Sequence, residues 1–143
     1  VLADSGRGMQ RMLAEMQDLD SELQAAGDAL ASVRIALATG RQRLADATDW
    51  LLGKADTDPA AVQLAAFNYM MLSGTVVGAW QMARAALVAQ RKLAAGDGHT
   101  DFLEAKMITA RFYAEEVLPR SAGYFEAATS DSSSAMELAE AQF

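Results

Sequence analysis

The stretch from Pro59 to Leu93 constrains the fold of this chain more than any other feature. No charged residue lies between Pro59 and Ala83. Large apolar side chains recur there at spacings that reach every side of a helical wheel: Phe67, Tyr69, Met70, Met71, Leu72, Val76, Val77, Trp80 and Met82. A helix that is apolar all round must be covered on several sides. We therefore predict a long central helix over residues 59–95, covered by the other segments of a bundle.

A membrane span is the alternative interpretation of this stretch, because about 20 apolar residues suffice to cross a bilayer. Gly74 and Gly78 also have the small-xxx-small spacing of packed membrane helices. Against this, Gln63, Asn68 and Gln81 interrupt the stretch, and the neighbouring segments have amphipathic patterns. We therefore expect no membrane span, and we expect the two glycines to let another backbone approach closely.

The composition limits the classes of function that this chain can have. Its 143 residues, 52% of them hydrophobic, are enough for one domain with a sizeable core. The net charge of −7 repels phosphate backbones, so we expect no nucleic-acid partner. The absence of cysteine excludes disulfides and thiol chemistry. The chain opens on Val1 without the pattern of a signal peptide, and we expect a cytoplasmic piece of a longer protein.

Four periodic segments joined by short turns predict an all-α fold, an antiparallel four-helix bundle. The helices are expected near residues 8–26, 28–54, 59–95 and 101–128. The first has an apolar stripe at three- and four-residue steps: Met9, Met12, Leu13, Met16, Leu19 and Leu23. At this spacing core packing is the favoured interpretation, and an adaptable methionine-lined groove is the alternative.

The second segment has leucines seven residues apart, at Leu30, Leu37, Leu44 and Leu51. Val33, Gly40 and Ala47 fill the positions between them, a pattern suited to close antiparallel packing. A dimeric coiled coil is the alternative. Before this segment, Gly27 suits a helix C-cap and Asp28 an N-cap.

Local signals also mark the ends of the third and fourth helices. Asp58 is a candidate N-cap, and Pro59 stands at the first helical position, where proline is tolerated. Asp101 and Glu104 have the spacing of a capping box. Pro119 must kink or end the fourth helix, because proline lacks a backbone donor and clashes with the preceding turn.

The titratable residues show no recognisable catalytic motif. Di-metal sites in helical bundles need two Glu-x-x-His pairs, whereas His99 is the single histidine. A metal contact by His99 with Asp97 and Asp101 is the alternative to a solvated loop histidine. Glu115 and Glu116 are adjacent and therefore diverge by about 100° on a helix, which favours a surface position for at least one of them over a paired-carboxylate site.

Four aromatic residues are the remaining candidates for a cofactor pocket: Trp50, Trp80, Phe112 and Tyr113. At helical spacing, core packing is the favoured interpretation. No nucleophile stands with a histidine partner in a motif, and no glycine-rich phosphate loop is present. We therefore predict that this chain holds no catalytic, cofactor-binding or metal-ligating residue.

Three segments in order carry a resemblance to a known family: ATDWLLGKADTDP (47–59), NYMMLSGTVVGAWQMARAAL (68–87) and FLEAKMITARFYAEEVLPR (102–120). Together with the closing EAQF (140–143), they resemble the C-terminal helical domain appended to one group of bacterial acyl-CoA dehydrogenases. The resemblance covers nearly the whole chain and rests on the order and spacing of these segments.

The resemblance implies a parent flavoenzyme of fatty acid metabolism that removes hydrogens from Cα and Cβ of an acyl-CoA thioester. In that family a glutamate base takes the α-proton and FAD accepts the β-hydride. The Tyr-Glu-Gly segment with this base and the flavin-binding region precede the helical domain, and neither is found in this sequence. We expect FAD in the parent enzyme and none in this chain.

The role implied for this chain is that of an accessory or oligomerisation domain. Its partners would be the catalytic body of the same chain and further subunits of a homo-oligomer, with acyl-CoA as the substrate of the parent enzyme. The alternative is a free-standing interaction or ligand-sensing bundle, such as the dimerising half of a bacterial regulator.

Residues 129–143 are expected to form a polar linker and a short terminal helix outside the bundle of residues 1–128. Ser134 and Glu137 have capping-box spacing, and Met136, Leu138 and Phe143 offer an apolar side. A helix of this length is marginal in water, so we expect it to dock on the bundle or on a second subunit, the alternative being a frayed end.

Deletion of residues 130–143 tests this docking. If the tail docks between subunits, both the sedimentation coefficient and the thermal midpoint should fall. If it docks on its own bundle, only the midpoint should fall. Neither quantity changing would show that the tail docks on nothing.

Overall fold

The computed structural model describes residues 1–130, 133–137 and 142, and these residues form helices joined by short turns. The α-helices in chain order are α1 (Arg7–Ala25), α2 (Ala31–Lys54), α3 (Pro59–Ala95), α4 (Thr100–Phe112) and α5 (Ser121–Ala128). No strand occurs among the described residues. The predicted all-α, antiparallel four-helix bundle is confirmed, with α4 and α5 together forming its fourth arm.

Helix α3 is the element against which all the others pack. It contacts α1, α2, α4 and α5. Its inner stripe is fully or almost fully buried and consists of small and branched side chains: Leu72, Val76, Ala79, Ala83, Ala86 and Leu87. By length and composition, α3 is also the one helix within the described ranges that could cross a membrane. In the bundle it is the core helix that the sequence predicted.

The ends of α3 are fixed by local interactions that were predicted from the sequence. The Asp58 carboxylate accepts a hydrogen bond from the Ala61 N–H at 3.1 Å, which satisfies one of the free donors of the first turn. At the other end Gly96 adopts a left-handed conformation with φ of 68°. This conformation costs glycine little and stops the helix. The predicted span of 59–95 is therefore confirmed.

The leucine seam of α2 faces the interior of this chain. Leu30, Leu37, Leu44 and Leu51 are all buried, as are Val33 and Ala47. Met16 and Leu23 of α1 are buried beside them, and the other stripe residues of α1 pack against the same core. Core packing is therefore the correct interpretation of both stripes.

Ion pairs and a hydrogen bond fix α1 against its neighbours. The Arg34 guanidinium donates two hydrogen bonds to the Asp20 carboxylate, both 2.9 Å long. Such paired bonds fix orientation as well as adding energy. Arg91 of α3 pairs with Glu22, and the Gln90 amide donates to the Ala26 carbonyl.

The predicted N-caps of α2 and α4 are wrong. Asp28 lies within a 3-10 turn (Gly27–Leu30), so α2 begins three residues later and has no side-chain cap. Helix α4 begins at Thr100, which puts Asp101 inside its first turn instead of before it. There the carboxylate can still stabilise the helix through the dipole.

Pro119 breaks the fourth arm, as predicted, and the break extends over two turns. A π-helical turn (Tyr113–Val117) and a 3-10 turn (Leu118–Arg120) separate α4 from α5. Because proline has no N–H, the ordinary bond to the carbonyl four residues earlier is missing. The preceding turn widens and the following turn tightens, and α5 then continues to Ala128.

The two glycines of α3 differ in what they contact. At Gly78 a Cβ would lie 2.3 Å from the Tyr113 hydroxyl and 2.9 Å from its ring carbon Cζ, so this glycine makes room for a side chain. The Tyr113 hydroxyl donates to the Thr75 carbonyl at 3.1 Å. At Gly74 nothing lies within 4 Å of the added atom. The expectation of a close backbone approach at both glycines is therefore wrong.

The tail is described only in part. A 3-10 turn (Ser133–Met136) contains Ser134, so the predicted capping box does not open an α-helix at that position. Leu138 and Phe143, two of the three apolar residues of the expected helix, lie outside the described residues.

Alanine substitutions at the two glycines should have opposite effects on stability. Gly78→Ala should lower the free energy of unfolding by about 1–3 kcal/mol, because the new methyl group overpacks against Tyr113. Gly74→Ala, the matched control, should raise it by about 0.5–1 kcal/mol, since alanine is the better helix former and space is available. Urea unfolding followed by circular dichroism measures both.

A double-mutant cycle tests whether the loss of stability in Gly78→Ala comes from contact with Tyr113. In a Tyr113→Leu background, Gly78→Ala should cost much less than it does alone. An equal cost in both backgrounds would contradict the proposed contact.

Candidate functional site

The four aromatic candidates for a cofactor pocket lie in different environments in the structure. Tyr113 is half-buried in the π-helical turn and packs over Gly78. Trp80 packs against the core. Trp50 is half-buried on α2, with the Lys54 ammonium 5.9 Å from its ring centroid. Phe112 is 59% exposed on the outside of α4. The core interpretation thus holds for Trp80 but not for Phe112.

Burial changes the acid–base behaviour of two tyrosines. It raises the pKa of Tyr113 above its ordinary value and does the same for Tyr69. The Tyr69 hydroxyl is 2.8 Å from the Thr48 hydroxyl. Since Thr48 donates its own hydrogen to the Leu44 carbonyl, Tyr69 is the donor between the two. Both phenols therefore stay protonated and act as structural donors at neutral pH.

The titratable candidates are all at the surface. Glu115 and Glu116 are both exposed on the π-helical turn, whereas their divergence predicted a surface position for at least one of them. His99 is exposed in the turn before α4. Among the residues that the structure describes, no group of three or more acidic or histidine side chains is close enough to hold a metal ion.

One buried donor has no partner in the described part of the chain. The indole nitrogen of Trp80 is buried and makes no hydrogen bond. The Arg84 guanidinium lies 5.4 Å from the centroid of the same ring, a distance typical of a cation–π contact. Trp80 thus packs against the core and also contacts the cation of Arg84.

A groove lies between the C-terminal half of α3 and the beginning of α4. Its volume is about 620 Å³, within the range of small-molecule sites of roughly 300–1,000 Å³. Eleven residues line it: Gln81, Arg84, Ala85, Val88, Ala89, Lys92, Gly98, His99, Phe102, Leu103 and Lys106. Three of them are cations, and none of these lining residues is a carboxylate.

The groove combines charge at its rim with apolar walls. The Lys106 ammonium lies 5.0 Å from the centroid of the Phe102 ring. The Lys92 ammonium is 3.4 Å from the Asp97 carboxylate, which offsets part of its charge. Val88 and Phe102 are both more than half exposed, so the apolar surface is accessible from solvent.

A second surface is the outer face of α4, which we define by Ile108 and Phe112, with the groove residue Phe102 at its edge. The side chains of Ile108, Phe112 and Phe102 are 57%, 59% and 59% exposed, respectively. On a helix they fall within about 120° of one another, opposite the buried Ala110. On α3, Phe67 and Met70 are also largely exposed. Single exposed apolar residues are normal, but several on one face of one helix indicate an interaction surface.

Sequence reasoning missed both surfaces for the same reason. The exposed Phe102, Ile108 and Phe112 are as apolar as the buried Leu103 and Ala110, so their residue types alone do not mark them as a separate surface. One signal was available, namely that large apolar residues occur on more sides of this helix than one core can cover.

Comparison with known proteins agrees with the resemblance that the sequence showed. Residues 9–139 match a family model described as acetyl-CoA dehydrogenase C-terminal like. The chain is also 35% identical over 118 residues to 3-methylmercaptopropionyl-CoA dehydrogenase from Ruegeria pomeroyi. That alignment covers 82% of this chain and 20% of the relative, so the chain spans about a fifth of the relative's length. The chain therefore belongs to the acetyl-CoA dehydrogenase C-terminal-like family.

Proposed function

We propose that this chain is the C-terminal accessory domain of an FAD-dependent acyl-CoA dehydrogenase and that it docks on the catalytic body through the outer face of α4. Family membership supports the assignment to such an enzyme. The exposed apolar face of α4 supports the docking role. This face is the observation that carries the proposal, because a surface helix without a further partner would present polar residues on its outer side.

We favour the catalytic body as the partner that covers this face, because the dehydrogenase relative is much longer than this chain. About four fifths of the dehydrogenase relative lies outside the aligned region. A domain joined to so much further chain meets its neighbour at high effective concentration, so a modest apolar face is enough to hold the two together. A second copy of the same domain is the competing occupant, and it is an outcome of the test below.

The parent enzyme would remove hydrogens from Cα and Cβ of an acyl-CoA, and FAD would supply the electron acceptor for that reaction. The described residues of this chain do not fit the flavin. The core is filled by fully buried side chains such as Leu44, Leu72 and Val76, and the α3–α4 groove is open to solvent. This domain would therefore contribute binding surface and stability, and the rest of the protein would contribute the chemistry.

Substitutions on the outer face of α4 test the docking in the full-length enzyme. Ile108→Ser combined with Phe112→Ser should lower the thermal midpoint of the whole enzyme, because the interface loses two apolar anchors. The same pair should leave the midpoint of the 143-residue chain almost unchanged, since both side chains are exposed in it. Differential scanning calorimetry measures both midpoints.

Ile35→Ser is the matched control. Ile35 is 66% exposed on α2, a different helix from the one that carries the proposed interface, and its substitution should leave both midpoints in place. Equal midpoints for the full-length Ile108/Phe112 variant and the wild type would contradict the docking. If the isolated wild-type chain is a dimer and the Ile108/Phe112 variant of it is a monomer, the partner of this face is instead a second copy of the chain.

A further inference from the structure

The groove between α3 and α4 is locally basic in an acidic chain. Arg84, Lys92 and Lys106 line it although the net charge of the protein is −7. Asp97 pairs with Lys92, and Asp101 lies in the first turn of α4. Arg84 and Lys106 have no carboxylate partner among the described residues. The charges of these two cations are therefore not offset by an ion pair there, although Arg84 donates a hydrogen bond of 3.3 Å to the Gln81 side-chain oxygen.

The distances between these cations indicate what size of anion could contact all of them. Arg84 and Lys92 are eight residues apart on α3, which is roughly 12 Å along the helix. Lys106 stands on the opposite wall. A single small anion cannot reach all three positions. A ligand with several anionic groups along its length can.

The apolar part of the groove indicates which uncharged group the ligand would carry beside its anionic groups. Ala85, Val88 and Ala89 form a floor of small side chains, and Phe102 forms a largely exposed aromatic wall. Flat aromatic groups, including nucleobases, stack favourably on such a ring. The groove therefore offers a stacking surface next to phosphate-binding cations.

We propose that this groove binds the nucleotide half of coenzyme A, with adenine against Phe102 and the phosphates on Arg84, Lys92 and Lys106. This part of the molecule combines a flat base with three phosphates, which is the combination that the groove offers. The assignment of the ligand rests on the proposed function, which makes a CoA thioester the substrate of the parent enzyme. Such a site would hold the nucleotide end of a substrate or product at the accessory domain.

Calorimetric titration of the 143-residue chain tests the proposal, after circular dichroism has shown that the chain is folded. CoA should bind saturably. Dephospho-CoA and ADP should bind about tenfold more weakly, because each lacks the 3′-phosphate and one charge-assisted contact. Pantetheine, which lacks the nucleotide, should not bind. Raising the salt concentration should weaken CoA binding, since its main contacts are ionic.

Variants locate the site. Arg84→Gln and Lys106→Gln should each weaken CoA binding about tenfold, and Phe102→Leu should weaken CoA more than inorganic phosphate. Arg11→Gln is the control, because Arg11 is an exposed cation on α1 outside the groove. Its substitution should change nothing.

Several results would overturn the proposal. These are the absence of saturable binding up to about 1 mM CoA, equal affinity for CoA, ADP and inorganic phosphate, or CoA binding that survives both Arg84→Gln and Lys106→Gln. Tighter binding of an acidic peptide than of CoA would reassign the groove to a protein partner. None of these results bears on the docking of α4, which is tested on full-length enzyme through Ile108 and Phe112.

Discussion

The structure depends on covering one helix that is apolar on all sides. Helix α3 spans 37 residues, and its inner stripe from Leu72 to Leu87 is buried by the other helices. Burial of an apolar side chain of this size stabilises the fold by about 1.5–3 kcal/mol. Small residues of this stripe, Ala79 and Ala83, are buried against the neighbouring helices, and Gly78 makes room for the Tyr113 side chain. The remaining elements are arranged around this requirement.

The helices do not cover every large apolar side chain, because Phe67 and Met70 of α3 and the outer face of α4 remain more than half exposed. The first two helices bury a leucine seam and are fixed by the Arg34–Asp20 ion pair. The fourth arm is broken by Pro119 into shorter pieces, and α4 presents apolar residues on both its inner and outer faces. This asymmetry is expected of a domain that packs on a larger body, and it underlies the proposed docking role.

Local signals made part of this fold predictable from the sequence. The bounds of α3 were predicted because Asp58, Pro59 and Gly96 act on the residues next to them. Asp28 and Asp101 were misassigned because short turns shift a helix start by one to three residues without changing the composition. Tyr113 over Gly78 and the basic groove depend on how α3 and α4 pack, and that arrangement is not encoded in either segment alone.

In the arrangement that we propose, the outer face of α4 lies against another part of the parent protein. Replacement of Phe112 by a photo-crosslinking phenylalanine in the full-length protein measures this contact directly, with the same replacement at Ile35 as the reference. We predict crosslinks from position 112 to peptides outside the 143 residues, and few or none from position 35. Crosslinks from position 112 that are absent, or confined to this chain, would contradict the account.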